Sequence, residues 1–302
     1  MNNNPLISII IPHYNTPALL KRLLDSIGFH EDVQIIVIDD NSTKDISLYQ
    51  AVQKEYQSDH TIFLKNDSGK KGAGAARNIG LEYAEGQWVM FADSDDAFLE
   101  TWYDTVLPFT GMAYDAVYFA PKSVSLDGVN PSERGAYLTD LCASYLSGDN
   151  SVSEMDVRSK FSVPWSKLIR HQLIREHHIR FDPVMHANDV MFSSKVGCFA
   201  KTIQVVSDPI YCLCDTSSSL TANVSEKAFY VRTEVFCDYY RFWSSHGLYF
   251  DAQPLERLQY VFKNFGVRYV PKYMRLFRKN GIHLLTRRML KLSKIRRLME
   301  RR

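Results

Sequence analysis

The chain has 302 residues, of which 45% are hydrophobic and 23% are charged, so it is long and apolar enough to bury a substantial core. No basic and apolar signal segment follows the first residue, and no apolar run approaches the roughly 18 residues that span a bilayer. Five scattered cysteines fit reduced thiols better than a disulfide framework or a zinc site. We therefore expect a globular cytoplasmic protein.

Strand-like and helix-like segments alternate over the first hundred residues. β-Branched and aromatic runs predict strands at 6–11, 33–38, 61–64 and 88–92, and helical periodicity predicts helices at 17–27, 46–56 and 73–84. Thr16 is a candidate N-cap for the first helix, with Pro17 in its first turn. The alternating order and the continuously apolar strands predict an α/β domain whose parallel sheet is covered on both faces.

Polar clusters follow three of the predicted strands, at 12–15, 39–42 and 93–96. In open α/β sheets, ligands bind at the carboxyl ends of the strands. The last cluster, Asp-Ser-Asp-Asp, crowds three carboxylates whose repulsion a divalent cation would offset, and oxygen ligands favour Mg²⁺ or Mn²⁺. Each cluster alone is also compatible with a solvated turn or a capping loop. Their convergence on one sheet edge favours a ligand site.

Residues 72–77, Gly-Ala-Gly-Ala-Ala-Arg, superficially match a dinucleotide-binding fingerprint with Asp93 about twenty residues further on. The third small-residue position holds Arg77, however, and the motif follows the third predicted strand rather than the first. We interpret the segment as a glycine-rich entry to a helix that presents Arg77 and Asn78 to a phosphate or base. A plain glycine-rich helix start is the alternative.

Four segments in order, 8–15, 37–43, 74–80 and 91–96, resemble the sequential motifs of family 2 glycosyltransferases, and the resemblance covers about residues 5–215. It implies the GT-A fold, which has a Rossmann-like, mostly parallel central sheet flanked by helices. It also implies a nucleotide-sugar donor, usually a UDP-sugar, and transfer with inversion at the anomeric carbon.

The matched positions imply a nucleotide pocket and a metal site. Asp40 would accept a hydrogen bond from the uracil ring, and Arg77 would lie beside the base and phosphates. Asp95 would ligate Mn²⁺ or Mg²⁺, and Asp93 would contact the ribose or the metal. The implied nucleotide-sugar-binding residues are Pro12, Tyr14, Asn15, Asp40, Arg77, Asn78, Asp93 and Ser94, and the metal-binding candidates are Asp93, Asp95 and Asp96.

The general base of the family falls on Asp189, because segments 165–170 and 188–192 resemble its W-x-K-L-x-R and E-D-x-x-F patterns. Asn188 replaces the usual Glu, which removes one charge beside the base and affects the tuning of its pKa. A helix N-terminal acid is the alternative for Asp189. The acceptor-binding candidates are Trp165, Lys167, His186 and Asn188, although packing is the commoner fate of a Trp and a lone His is more often structural.

A second departure lies near Cys214, where relatives often carry Arg or His before a Ser-rich loop. Positive charge for the diphosphate would then come from elsewhere, with Lys201 and Arg232 as candidates. Acceptor recognition is expected within 120–200, including the loop 123–135, which carries no readable code.

The C-terminal part is helix-forming and basic. Residues 271–302 contain twelve Lys and Arg against one acid, Glu300, so the remainder of the chain carries a net charge of about −9. We predict a catalytic domain at 1–221, with nucleotide-sugar binding in about 1–120 and the acceptor and base region in about 121–221, and a helical region at 222–302. The basic amphipathic tail suits an anionic membrane surface, and packing on the acidic body or pairing with another subunit are alternatives. No base-reading module suggests nucleic-acid binding.

These features together predict a metal-dependent, inverting glycosyltransferase that moves a hexose-type sugar from a UDP donor to a saccharide or lipid-linked saccharide in surface-polysaccharide assembly. The tail would bring it to the inner face of the cell membrane. A non-catalytic nucleotide-sugar-binding protein and an NAD(P)-dependent oxidoreductase are the alternatives. The sequence does not indicate the donor sugar, the linkage or the oligomeric state.

Overall fold

The computed structural model describes residues 4–124, 132–215, 225–250 and 253–284. The chain divides into two compact units, Met1–Ser219 and Leu220–Arg302. The domain boundary predicted at residue 221 stays a prediction, because 216–224 lie outside the described residues. No described helix combines the length and the hydropathy needed to cross a bilayer.

The first unit contains two sheets and the helices around them. Its strands are β1 (Ile7–His13), β2 (Val33–Asp39), β3 (Thr61–Lys65), β4 (Trp88–Phe91), β5 (Ala97–Phe98), β6 (Ala116–Phe119), β7 (Lys122–Val124), β8 (Lys167–Arg170), β9 (Ile203–Val206) and β10 (Tyr211–Cys214). Its helices are α1 (Pro17–Ile27), α2 (Ile46–Tyr56), α3 (Ala73–Tyr83), α4 (Trp102–Thr110), α5 (Ala136–Leu146), α6 (Glu154–Lys160), α7 (His171–Glu176) and α8 (Val190–Phe199).

The large sheet has seven strands in the order β3-β2-β1-β4-β8-β6-β9. The strands β1 to β4 pair in parallel, with Ile10 opposite both Ile36 and Phe91. This confirms the four strands and three helices predicted in the first hundred residues, with ends that differ by at most two residues. The strand β8 is antiparallel to β4 and to β6. Consequently β4 and β6 run in the same direction, and their carboxyl ends share one edge.

A small sheet, in the order β5-β10-β7, adjoins the end of β4. The strand β5 follows the acidic turn 93–96 directly, and β10 pairs antiparallel to it, with Tyr211 opposite Phe98. Cys212 and Cys214 both lie in β10. This pairing brings residues more than a hundred positions apart to the edge where β4 ends.

The core lies on both faces of the large sheet, as the continuously apolar strands require. Ile7, Ile9, Ile10 and Ile11 are completely buried. The helix α3 packs directly on the sheet at Gly80, where a β-carbon would lie 2.4 Å from Ile10. A larger residue there would push α3 away from β1, so this glycine fixes the depth at which the helix lies.

The second unit is helical. Its helices are α9 (Glu226–Ser245), α10 (Gln253–Phe265) and α11 (Val270–Lys279), with a 3₁₀ turn at Val267–Tyr269. Tyr273 on α11 is completely buried, and its hydroxyl donates a hydrogen bond to the carboxylate of Glu226 on α9. Arg257 on α10 lies over the ring of Phe236, with 4.1 Å between the guanidinium carbon and the ring centre. Aromatic and cation–π contacts therefore hold this unit together.

Candidate active site

Three carboxylates gather in the turn that follows β4. Oxygen atoms of Asp93, Asp95 and Asp96 all lie within 4.8 Å of one another. Burial and the neighbouring charge of Asp93 raise the pKa of Asp95 above its ordinary value. A hard divalent cation fits this set, because it takes oxygen ligands and offsets the repulsion that raises these pKa values.

Asp96 differs from the other two acids because it is completely buried. One of its oxygens accepts a hydrogen bond from the hydroxyl of Tyr211 at 3.0 Å, and the other accepts one from the backbone N–H of Cys214 at 3.0 Å. Burial, with the charges of Asp93 and Asp95, raises the pKa of Asp96 well above its ordinary value. The structure thus attaches the acidic turn to β10 through Asp96.

Tyr211 is a site residue that sequence reasoning missed. Its hydroxyl accepts a hydrogen bond from the backbone N–H of Asp93 at 2.8 Å while it donates to Asp96. The ring of Trp165 stacks on that of Tyr211 at 5.6 Å. Trp165 is 7% exposed, so its role in this structure is to pack behind the acidic turn. The predicted contact of Trp165 with an acceptor stays a prediction.

Arg77 joins the acidic turn to the segment that carries the predicted base. Its guanidinium donates hydrogen bonds to the carboxylate of Asp93 and to the side-chain oxygen of Asn188, the latter at 2.9 Å. It also lies over the ring of Phe181 and is 4% exposed. The predicted contact with base and phosphates stays a prediction, and the structure adds a bridging role between two parts of the site.

The start of α3 holds this bridge in place through close backbone approach. A β-carbon at Gly74 would lie 2.4 Å from the carbonyl oxygen of Asp182 and 2.9 Å from Asn188. The side-chain amide of Asn78 pairs with both backbone groups of Phe181, at 2.8 and 2.9 Å. The glycine is therefore needed for contact with segment 181–188, which explains it without a dinucleotide. The predicted nucleotide contact of Asn78 stays a prediction.

Asp189 occupies the N-cap position of α8, but its side chain does not cap that helix. The residue is partly exposed. Burial raises the pKa of its carboxyl, and the nearby charge of Arg77 opposes that rise. A carboxylate with a raised pKa that is not used for capping suits proton abstraction. Its neighbour Asn188 accepts from Arg77, which places the predicted base beside the acidic turn.

Asp40, Asn15, Tyr14 and Pro12 lie at the carboxyl ends of β1 and β2. Asp40 accepts the backbone N–H of Gly72 at 2.7 Å, which ties the entry to α3 to the end of β2. Asn15 has a positive φ of 56° and accepts from two backbone N–H groups of the facing loop. Tyr14 is 53% exposed, whereas Pro12 is buried in β1. These placements leave Tyr14 accessible to a ligand at the sheet edge.

The hydroxyl of Ser94 contacts that of Thr16 at 3.2 Å. Thr16 is the N-cap residue of α1, as predicted, although its side chain makes no capping hydrogen bond. Below it, His13 is hydrogen-bonded to Asp39 at 2.9 Å, and this buried pair holds the ends of β1 and β2 together. Ser94 and the start of α1 are therefore joined on the side of the acidic turn that faces β1.

Two arginines beside the acidic turn escaped the sequence analysis. Arg134 donates to the carbonyl of Cys214 at 3.0 Å and lies 3.7 Å from Asp96. Arg22 on α1 donates to the backbone carbonyl of Asp95. Arg134 comes from the loop in which no code was readable, and only the pairing of β7 with β10 brings it here. No local pattern in the sequence could have indicated it.

The suggestion that Lys201 supplies positive charge to the diphosphate is wrong. Its backbone N–H donates to Asp115, which precedes β6, so Lys201 lies at the sheet edge opposite the acidic turn. The other suggestion, Arg232, lies on α9 in the second unit. Residues 216–221 of the Ser-rich loop are outside the described residues.

Lys167 and His186 complete the predicted acceptor set. Lys167 is 1% exposed, and its ammonium donates to the carbonyl of Phe161 at 2.7 Å. Burial lowers the pKa of Lys167 to about 7, although the charge of Asp189 opposes this shift. The ammonium group of Lys167 therefore faces the protein interior and not an acceptor, which corrects the prediction that Lys167 contacts the acceptor directly. His186 is partly exposed in the segment before Asp189.

Comparison with known proteins places these observations in a family. The family model described as "Glycosyl transferase family 2" matches residues 8–175. The chain is 27% identical over 233 residues to EpsH of Bacillus subtilis, covering 74% of this chain and 65% of that protein. It is 28% identical over 189 residues to the GalNAc(5)-diNAcBac-PP-undecaprenol beta-1,3-glucosyltransferase of Campylobacter jejuni, covering 61% of this chain and 57% of that protein. The chain thus spans less than two thirds of the length of either relative.

Solved structures share the architecture. The crystal structure of S. aureus TarS 1-349 in complex with UDP-GlcNAc superimposes with a TM-score of 0.68 at 21% identity, covering 91% of this chain and 80% of that one. At this identity the likeness concerns the fold alone. It confirms the GT-A fold predicted from the motifs, together with the presence of C-terminal helices.

Proposed function

This chain belongs to glycosyl transferase family 2, and from that membership we propose that it is a metal-dependent, inverting hexosyltransferase with a UDP-sugar donor. The acceptor is a saccharide or lipid-linked saccharide in surface-polysaccharide assembly. One observation carries the proposal: Arg77 joins the acidic turn at Asp93 to Asn188, the neighbour of the candidate base. Donor and acceptor chemistry thereby meet at one sheet edge.

The acidic turn is the metal site in this proposal. Asp93 and Asp95 would hold Mn²⁺ or Mg²⁺, and the cation would stabilise the negative charge on the leaving diphosphate. Both carboxylate oxygens of Asp96 already accept hydrogen bonds, from Tyr211 and Cys214, so the main role of Asp96 is to position the turn. On the nucleotide side, Tyr14 and Asp40 face the base, while Pro12, Asn15, Asn78 and Ser94 shape the surrounding pocket.

Asp189 is the general base. The acceptor hydroxyl attacks the anomeric carbon from the side opposite the diphosphate, and its proton passes to a carboxylate oxygen of Asp189. The bond between the anomeric carbon and the phosphate oxygen breaks, and its electron pair leaves with UDP. Substitution from the opposite face inverts the anomeric configuration. The raised pKa of Asp189 makes it a stronger base than an exposed Asp.

Arg134 supplies the diphosphate with the positive charge that is missing near Cys214. Its guanidinium donates to the Cys214 carbonyl, so it stands where the sequence departs from the pattern of its relatives. It also faces Asp96 at 3.7 Å. A donor diphosphate bound at the acidic turn would therefore meet a guanidinium as well as the cation.

The acceptor and the location of the protein follow from its relatives and its composition. The Campylobacter relative acts on a PP-undecaprenol saccharide by its name, which supports a lipid-linked acceptor here. We propose a cytoplasmic enzyme that is peripheral on the inner face of the membrane. The basic tail that suggested this location lies mostly in 285–302, outside the described residues.

A donor screen tests the proposal. UDP release is measured from UDP-glucose, UDP-galactose, UDP-GlcNAc, UDP-GalNAc and UDP-glucuronate, with Mn²⁺, with Mg²⁺ and with chelator. We expect release from one donor that requires metal, and we expect Asp95→Ala to lose that metal response. UDP binding without release from any donor, even with saccharide acceptors, would favour the non-catalytic alternative. Metal-independent NAD(P) binding would favour the oxidoreductase.

A further inference from the structure

An open apolar groove lies on the second unit, between α10 and the segment that leads into α11. It is lined by Leu255, Leu258, Phe262, Val267 and Val270. Val267 is 69% exposed and Phe262 is 58% exposed. Large apolar side chains that are gathered on one face and exposed to water indicate a candidate docking surface.

The helix α10 is two-sided, which explains why these side chains remain outside. Pro254 and Val261 are buried, and Arg257 lies over Phe236 of α9. Leu255, Leu258 and Phe262 are three to four residues apart, so they form a separate stripe on the helix. The inward face of α10 makes the contact with α9 through Arg257. The outward stripe is therefore available to a partner outside this unit's own core.

The charge around the groove is strongly positive. Residues 253–284 contain seven Lys and Arg against one acid, Glu256. Within this described stretch, Lys272 alone forms an ion pair, with Glu226 at 3.0 Å. Lys263 lines the groove itself, and Arg268, which directly follows Val267, is exposed. An apolar face with a basic border suits a surface that is apolar below and anionic above.

We propose that this groove docks on an anionic lipid bilayer, with Phe262 and Val267 inserted at the boundary between headgroups and acyl chains. Charge repulsion disfavours two other occupants of the groove, a second copy of this chain and the C-terminal segment 285–302. A second copy would place one basic face against another, and the segment 285–302 carries eight Lys and Arg against one acid. The proposal concerns the second unit, so it is independent of the donor chemistry proposed above.

The test is sedimentation of the full chain with vesicles of phosphatidylglycerol and phosphatidylcholine, and with phosphatidylcholine alone. We expect binding to the anionic vesicles only, weakened about tenfold or more by Phe262→Asp. Arg268→Gln should weaken binding about fivefold. The matched control is Phe29→Asp, because Phe29 is 72% exposed on the first unit and should leave binding unchanged. Residues 285–302 are the same in every variant, so they cannot account for a difference.

Three results would overturn the proposal. The first is Phe262→Asp binding as tightly as the unchanged chain. The second is equal binding to both kinds of vesicle. The third is a dimer in the absence of vesicles that Phe262→Asp converts to a monomer, which would assign the groove to a second copy. UDP binding by Phe262→Asp, measured in parallel, should be unchanged, which separates this proposal from a failure of the active-site assignment.

Discussion

Replacing Arg77 with Met tests whether its guanidinium is the link between the two parts of the site. The ion pair with Asp93 is largely buried, at 5% exposure for the Arg77 side chain and 27% for that of Asp93. The substitution keeps much of the stem's volume but removes two hydrogen bonds and the contact with Phe181. Breaking a buried pair by removing one partner costs about 3–5 kcal/mol. Because water can reach part of Asp93, we expect about 3 kcal/mol.

The assay is urea-induced unfolding, measured in chelator. The matched control is Arg22→Met, because Arg22 donates to the carbonyl of the same acidic turn but is exposed. That change should cost at most about 1 kcal/mol. A double-mutant cycle with Asp93→Asn should give a coupling energy of about 1.5–3 kcal/mol between residues 77 and 93.

Equal losses for Arg77→Met and Arg22→Met, or a coupling energy near zero, would refute the bridging role. Added Mn²⁺ provides a further check. A cation at the acidic turn replaces the missing positive charge beside Asp93, so it should recover part of the stability lost in Arg77→Met. If Mn²⁺ stabilises the variant no more than it stabilises the unchanged chain, the cation does not replace the lost charge of Arg77 beside Asp93.

Three further predictions concern Asp189 and Arg134. Asp189→Asn should keep UDP binding and slow transfer by about 10²–10⁴, or roughly 3 to 5 kcal/mol in barrier, and unchanged turnover would remove Asp189 from the base role. Because the raised pKa means that the folded protein holds this proton more tightly, ionisation of Asp189 destabilises the fold as pH rises from the unfolded pKa of about 3.9 through the folded pKa. Thermal unfolding should therefore show Asp189→Asn to be more stable than the unchanged chain at about pH 7.5 and equal to it at about pH 3; the opposite order would contradict the assigned shift. Arg134→Gln should weaken UDP binding about tenfold or more in calorimetry while leaving uridine binding unchanged, and equal losses for both would show that Arg134 does not act on the diphosphate.

The first hundred residues were predictable because local patterns determine their structure. Strands that are apolar throughout alternate with periodic helices, and the polar clusters at 12–15, 39–42 and 93–96 mark the edge of the sheet. Tyr211 and Arg134 were not predictable for the opposite reason. They reach the acidic turn only through the pairing of β10 with β5 and β7. The sequence of an apolar strand does not indicate which distant residue the hydroxyl of Tyr211 will contact.

Lys167 shows a different limit. A motif identifies the position as important, but whether its side chain points outwards or inwards depends on how β8 lies between β4 and β6. That strand is antiparallel within an otherwise parallel neighbourhood, which the sequence pattern does not reveal. The position was recognised and its direction was not.

The guanidinium of Arg77, shared between Asp93 and Asn188, would link the binding of a cation to the binding of an acceptor in the proposed mechanism. A cation that drew Asp93 towards itself would change the charge that Arg77 presents to Asn188, a predicted acceptor-binding residue. By reciprocity, an acceptor must alter the affinity for the cation by the same factor by which the cation alters the affinity for the acceptor. In the proposed mechanism, the affinities for the cation and for the acceptor would therefore depend on each other through the side chain of Arg77.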